Sequence, residues 1–159
     1  MYKRQDKALA ERAGKLCKTD LVTQMVYEFP DMQGIAGRYY AENDGEAADV
    51  CAAMVEQYMP AYAGDQLPET TTGTAIALAD RLDSLVGLFG LGQIPTGTKD
   101  PFALRRASLG VLRILVEKKI DLDLSELIDW AIDNSWPIEL KPETKSVLTE
   151  YMLDRFSAW

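Results

Sequence analysis

The chain has 159 residues, 47% hydrophobic and 26% charged, enough for one domain with a real core and too apolar for disorder. It contains no histidine, which excludes Ser-His-Asp and Cys-His nucleophile pairs and removes the commonest metal ligand. The formal net charge of -8 disfavours nucleic-acid binding by the chain as a whole, and no apolar run approaches membrane-spanning length.

In chain order, Met1–Gln5 (M-Y-K-R-Q) matches the translation of a common transposase-end sequencing adapter, GTG-TAT-AAG-AGA-CAG, with GTG as a start. The expectation is that residues 1–5 are an artefact and that the domain runs over 6–159, truncated at both ends. The basic start has no following apolar region, so it does not read as a secretory signal. Asp6–Lys15 is compatible with a helix. Asp20–Phe29 carries Leu21, Val22, Met25, Val26 and Phe29 at spacings of three and four and stops at Pro30. Asp31–Asn43 follows, with Gly34 and Gly37 suggesting a close helix–helix approach and Asp44-Gly45 ending it. Alanine-rich Glu46–Met59 stops at Pro60, and residues 61–73 read as a loop.

Thr74–Phe89 is amphipathic through Ala75, Leu78, Leu82, Val86 and Phe89. Gly90–Thr98 reads as a loop. Asp100 is a good N-cap and Pro101 a good first helical residue for a helix to Leu115, lined by Leu104, Ala107, Val111, Leu112 and Leu115. Asp123 with Glu126 starts a helix to Asn134 in the manner of a capping box, and Pro142 opens a last helix that runs to the end. No period-two strand pattern stands out. The expected fold is all-α, seven or eight helices in a single domain. Cys17 and Cys51 have no metal-type spacing and read as free thiols of a reducing cytosol.

The charge is uneven. Lys99–Lys119 holds six basic residues against Asp100 and Glu117, a local +4 that leaves -12 elsewhere. A local patch, not the average, sets the field that a phosphate backbone meets. Arg105, Arg106 and Arg113 fall off the apolar stripe, and Arg106 and Arg113 lie two turns apart on one side. The bland alternative is a solvated helix face. Gly90–Asp100 (G-L-G-Q-I-P-T-G-T-K-D) has the glycines and lysine of a phosphate loop. It is not a Walker motif, because Asp100 follows Lys99 and a helix precedes it. It reads first as a flexible connector whose Asp100 caps the next helix, and as the alternative it presents backbone N–H groups and Lys99 to an RNA phosphate. Arg38, Tyr39 and Tyr40 offer a weaker stacking or phosphate contact.

Ala-Asp-Arg-Leu at Ala79–Leu82 resembles the last metal-ligand segment of the HD superfamily of metal-dependent phosphohydrolases. In L-C-K-T-D-L (Leu16–Leu21), Thr19-Asp20 stands where that superfamily has His-Asp. The resemblance implies an HD-like fold with degenerate metal positions Thr19, Asp20 and Asp80, no metal and no catalytic residue. A phosphohydrolase using Asp20, Asp80 and Asp83 is the rival enzyme reading, and a surface or capping carboxylate is the plain one for Asp80.

Three longer blocks, K-T-D-L-V-T-Q-M-V-Y-E-F-P-D-M-Q-G-I-A-G-R-Y-Y-A, Y-A-G-D-Q-L-P with A-L-A-D-R-L-D-S-L-V-G-L-F-G-L-G, and P-T-G-T-K-D-P-F-A-L-R-R-A-S-L-G-V-L-R-I-L, follow one order and spacing. Together they resemble the β subunit of bacterial heterotetrameric glycyl-tRNA synthetase, densely over Leu16–Ile120 and more loosely to Trp159. The resemblance implies the non-catalytic HD-like middle of that subunit, in a cytoplasmic glycine–tRNA ligase. The implied partners are tRNA(Gly), the α subunit and the remaining β-subunit domains, with no membrane. No cofactor belongs to this stretch, while ATP and magnesium serve the α subunit. The candidate tRNA phosphate contacts are then Lys99, Arg105, Arg106, Arg113, Arg38 and Tyr40. A purely structural helical module is the alternative.

Overall fold

The computed structural model describes residues 4–134, 136–157 and 159, with side chains from residue 7 onward. Of the five residues read as adapter-encoded, 1–3 therefore lie outside the described residues. Among the described residues, eight α-helices and two short 3-10 turns make up the regular structure, an all-α fold as the periodicities predict. The helices are α1 (Arg4–Leu16), α2 (Gln24–Glu28), α3 (Ile35–Asn43), α4 (Ala48–Glu56), α5 (Thr71–Gly90), α6 (Leu104–Glu117), α7 (Leu124–Ile132) and α8 (Thr144–Ser157). None is long and apolar enough to cross a membrane. Where the sequence reading drew no division, the packing separates two compact units inside α5, 1–78 and 79–159.

In the first unit α4 packs against α1 and α3. Ala13, Ala41, Val50, Cys51, Ala53, Met54 and Ile76 form the core, with Leu9, Leu16 and Cys17 against it. Buried Gln57 donates from Nε2 to the carbonyls of Met54 (2.9 Å) and Cys17, tying the end of α4 to the end of α1. Gly45 ends α3 at φ +78 and the Glu46 N–H closes on the Ala41 carbonyl at 3.0 Å, the stop that Asp44-Gly45 predicts.

The expected helix Asp20–Phe29 is interrupted. A 3-10 turn at Thr19–Val22 leads through Thr23 into the five-residue α2. The Asp20 side chain is the cause. It is buried, and its Oδ2 accepts from the Gly34 N–H at 2.6 Å. Turning Asp20 inward leaves Leu21, Val22, Met25 and Phe29 of the expected stripe exposed, and only Val26 buried. The next expected helix is likewise split, into a turn at Pro30–Met32 and α3 beginning after Gly34. Gly37 does mark a close approach, since a Cβ there would lie 3.2 Å from the Asp20 carboxyl carbon.

Helix α5 starts at Thr71, three residues earlier than expected. The buried Glu56 carboxylate accepts from the Glu69 N–H (2.9 Å), the Thr70 N–H (3.1 Å) and the Thr70 hydroxyl, while Thr70 Oγ1 accepts from the Gly73 N–H at 2.9 Å. The chain entering α5 is thereby held from a distant helix, and Thr70 caps the first turn through Gly73. Leu78, Leu82, Val86 and Phe89 are buried as expected, but Ala75 is exposed.

In the second unit α8 packs against α6 and α7. Leu85, Val86, Leu104, Val111, Ile114, Ile128, Leu148 and Met152 are its most completely buried apolar residues. Phe89 meets Tyr151 edge-on at 5.1 Å. Asp123 caps α7 as expected, its Oδ1 accepting from the Ser125 N–H at 2.7 Å and the Glu126 N–H at 3.2 Å.

Candidate nucleic-acid interface

Helix α6 starts at Leu104, not at Pro101. Asp100 still caps it, by a longer reach: a turn closes from the Ala103 N–H to the Asp100 carbonyl (3.2 Å), Ala103 adopts φ +55, and the Asp100 carboxylate accepts from the Leu104 N–H (2.8 Å) and the Arg105 N–H (3.0 Å). A carboxylate at this end also complements the helix dipole. The preceding loop is closed on itself. Thr96 and Lys99 exchange backbone hydrogen bonds (3.1 and 2.8 Å) around Gly97 and Thr98. Those two N–H groups are consumed by the turn and are not offered to a phosphate, which leaves the Lys99 ammonium as the loop's cation.

The three arginines of α6 have different surroundings. Arg106 is exposed and makes no ion pair among the described residues. Arg105 is half-buried and donates to the Gly97 carbonyl, fastening the loop to the helix. Arg113 has a side chain only 13% exposed and is held by Glu117, with Nε to Oε1 at 2.6 Å and a second guanidinium nitrogen to Oε2 at 3.3 Å. The Arg113 guanidinium holds the Glu117 carboxyl below the ordinary carboxylate range. A carboxylate whose folded-state pKa is depressed contributes stability above its unfolded pKa and loses it as pH falls. Glu117→Gln is therefore expected to flatten the acid limb of the stability profile, read as urea midpoints from neutral to acid pH. An acid limb identical to that of the parent chain would show that the pair contributes nothing.

Sequence spacing missed Arg155, in the last turn of α8. Its guanidinium carbon lies 5.3 Å from the centre of the Tyr151 ring. Burial raises the Tyr151 hydroxyl pKa, opposed by the charges of Arg155 and Arg105 and aided by that of Asp100. Arg155 thus belongs to the same charge environment as the start of α6. The signal that could have found it is the i, i+4 pair Tyr151/Arg155.

The other candidates lie elsewhere. Arg38 is exposed on α3, but its Nε donates to Glu42 Oε1 at 2.7 Å, which raises the guanidinium pKa. Tyr40 is exposed next to it. Of the degenerate metal positions, Thr19 is exposed with its hydroxyl donating to the Leu16 carbonyl (2.8 Å), and Asp20 is committed to Gly34. Both lie in the first unit. Asp80, half-buried, and Asp83, exposed, lie in the second. Burial, then the Asp80 charge, raises the Asp83 pKa. Arg81 is buried beside Gly110, where an added Cβ would come within 2.6 Å of its Nε; burial lowers its pKa and Asp80 opposes that. Among the described residues, no group of three or more Cys, Asp or Glu side chains could hold a metal ion.

The comparisons with known proteins agree with one another. The family model for the glycyl-tRNA synthetase beta subunit matches residues 2–159, past both ends of the densely resembling stretch. The glycine–tRNA ligase beta subunit of Marinobacter nauticus is 61% identical over 153 residues, 96% of this chain and 22% of that protein. Those of Hahella chejuensis (59% over 152 residues) and Stutzerimonas stutzeri (56% over 153) cover 94% and 96% of this chain and again 22% of their own lengths. The chain thus spans about a fifth of the length of these relatives. With a family model matched over nearly every residue and identities well above half, this chain belongs to the glycyl-tRNA synthetase beta subunit family.

Proposed function

We propose that the chain serves, within a glycine–tRNA ligase, as a non-catalytic HD-like part of the β subunit that helps to hold tRNA(Gly). The observation that carries this is the cationic end of α6 in an otherwise acidic chain: exposed Arg106 and Lys99, with half-buried Arg105 fastened to Gly97 and Arg155 sharing Tyr151 with it. Phosphate neutralisation there positions an RNA backbone without reading its sequence. The contribution to aminoacylation is then orientation, presenting the tRNA to an active site on another chain. Glycine activation with ATP and magnesium falls to the α subunit in this reading, in a cytoplasmic heterotetramer. Arg113 and Arg38 are secondary, because Glu117 and Glu42 already neutralise them.

The test is fluorescence anisotropy of tRNA(Gly) with the assembled α/β enzyme over a salt series. Arg106→Glu combined with Lys99→Glu is expected to weaken binding and to reduce the slope of log K against log salt by about one for each phosphate left without its cation. Unchanged affinity and slope would transfer the role to a structural module whose arginines serve the protein itself.

A further inference from the structure

Helix α3 is built inside out. Its inward positions hold Ala36, Gly37 and Ala41, while Ile35, Tyr39 and Tyr40 face solvent. Ile35 and Tyr39 are one turn apart and share a face. The Thr19–Val22 turn packs beside it, α2 packs on that turn and on the Pro30–Met32 turn, and these elements continue the pattern. Val22 is 90% exposed, Tyr27 78%, Tyr39 63% and Phe29 61%. So many large apolar side chains left in water over some twenty residues mark a surface that is covered in the working protein.

The charge around it selects the cover. Between Lys18 and Leu78 the single basic residue is Arg38, against ten acidic ones. Arg38 is paired with Glu42, and Glu28, Asp31 and Asp44 are exposed. This rim repels an RNA backbone. It also repels its own image, since a two-fold contact between copies sets the same acidic rim against itself. The complement is an apolar protein surface edged with lysine or arginine. The relatives carry about four-fifths of their length outside the region matched here, on the same polypeptide. A tethered segment docks at a high effective concentration that a separate subunit lacks.

We infer that the Val22–Tyr27–Phe29–Tyr39 face is the docking surface for a basic, apolar segment of the same β polypeptide outside these 159 residues. This rests on family membership and is independent of the tRNA reading. A photo-crosslinking amino acid placed singly at Tyr27 and at Tyr39 of full-length β, in the assembled enzyme built from mixed light and heavy β, tests it. The expected products are intrachain links from both positions to one net-basic β segment outside the region. Links to the α subunit, to tRNA or between light and heavy β, a net-acidic target, or labelled enzyme without any link would overturn it. Tyr39→Glu supplies a second readout. Placed against a basic segment the new charge is partly compensated, so Tyr39→Ser is expected to lower the Tm of full-length β at least as far as Tyr39→Glu; equal Tm values for both variants and the parent would show an uncovered face.

Discussion

Glu56→Ala unfastens the start of α5 and is expected to cost the first unit about 3 kcal/mol, since it strands donors that a buried carboxylate satisfied. The carboxylate accepts from two backbone N–H groups and one hydroxyl, and a methyl group replaces none of these. Glu56→Gln keeps an acceptor oxygen and is expected to lose about half as much. Gly73→Ala attacks the same junction from the other side. The added Cβ would fall 1.8 Å from Glu56 Oε2 and 2.6 Å from Glu56 Cβ, so the carboxylate must leave its donors. The two substitutions break the same junction, and the double variant is expected to cost clearly less than the sum of the singles. Urea midpoints give the energies. Hydrogen exchange at the Glu69 and Thr70 amides locates the damage, because a local opening there precedes any global one. Additive losses, or exchange unaltered at those amides, would mean that the helix start is held by something else.

Gly34→Ala is the second large effect, expected at about 3 kcal/mol from a left-handed backbone of about 1–2 and overpacking of about 1–3. Gly34 sits at φ +79, and its added Cβ would lie 2.8 Å from the Met54 carbonyl oxygen and 2.9 Å from the Tyr58 ring. The carbonyl belongs to helix backbone and cannot swing away. The Tyr58 ring is itself engaged, with its hydroxyl accepting from Gln33 Nε2 at 2.8 Å and the Lys18 ammonium over its face at 4.6 Å. Near-ultraviolet circular dichroism should therefore lose tyrosine signal along with the lowered urea midpoint. A midpoint equal to that of the parent would show that the turn relaxes without strain.

What the sequence made legible is what neighbours in the chain decide. The periodic stripes of α5 and α6, the Asp123 cap and the Gly45 stop all depend on residues within about two turns, and each is found in place except for Ala75, which is exposed, and Ala107, which is half-buried. What escaped depends on partners far along the chain. Glu56 holds the Glu69 and Thr70 amides ahead of α5 from a helix that ends thirteen residues upstream of Glu69, a reach that no local spacing encodes, although Thr70 is itself a favoured cap residue. Asp20 reaches fourteen residues to Gly34 and in doing so breaks a helix that spacing alone makes continuous. The cationic residues were visible, but their availability was not. Glu117 one turn after Arg113, and Glu42 one turn after Arg38, already stood at pairing distance in the sequence. Arg155 escaped because α8 meets α6 only through tertiary packing, which no spacing in the sequence encodes.

The closed loop before α6 has a kinetic corollary. Its turn, its Asp100 cap and the Arg105 bond to Gly97 are all made by groups of the chain itself. A polyanion arriving there meets a surface whose ordering was completed during folding, so little loop entropy remains to be lost on capture. Association at such a surface is governed by long-range attraction and is fast at low salt, while the lifetime of the complex is set by the few cations that reach the phosphates. Loosening the loop would then slow capture by spreading Lys99 over many positions, even with every charge retained.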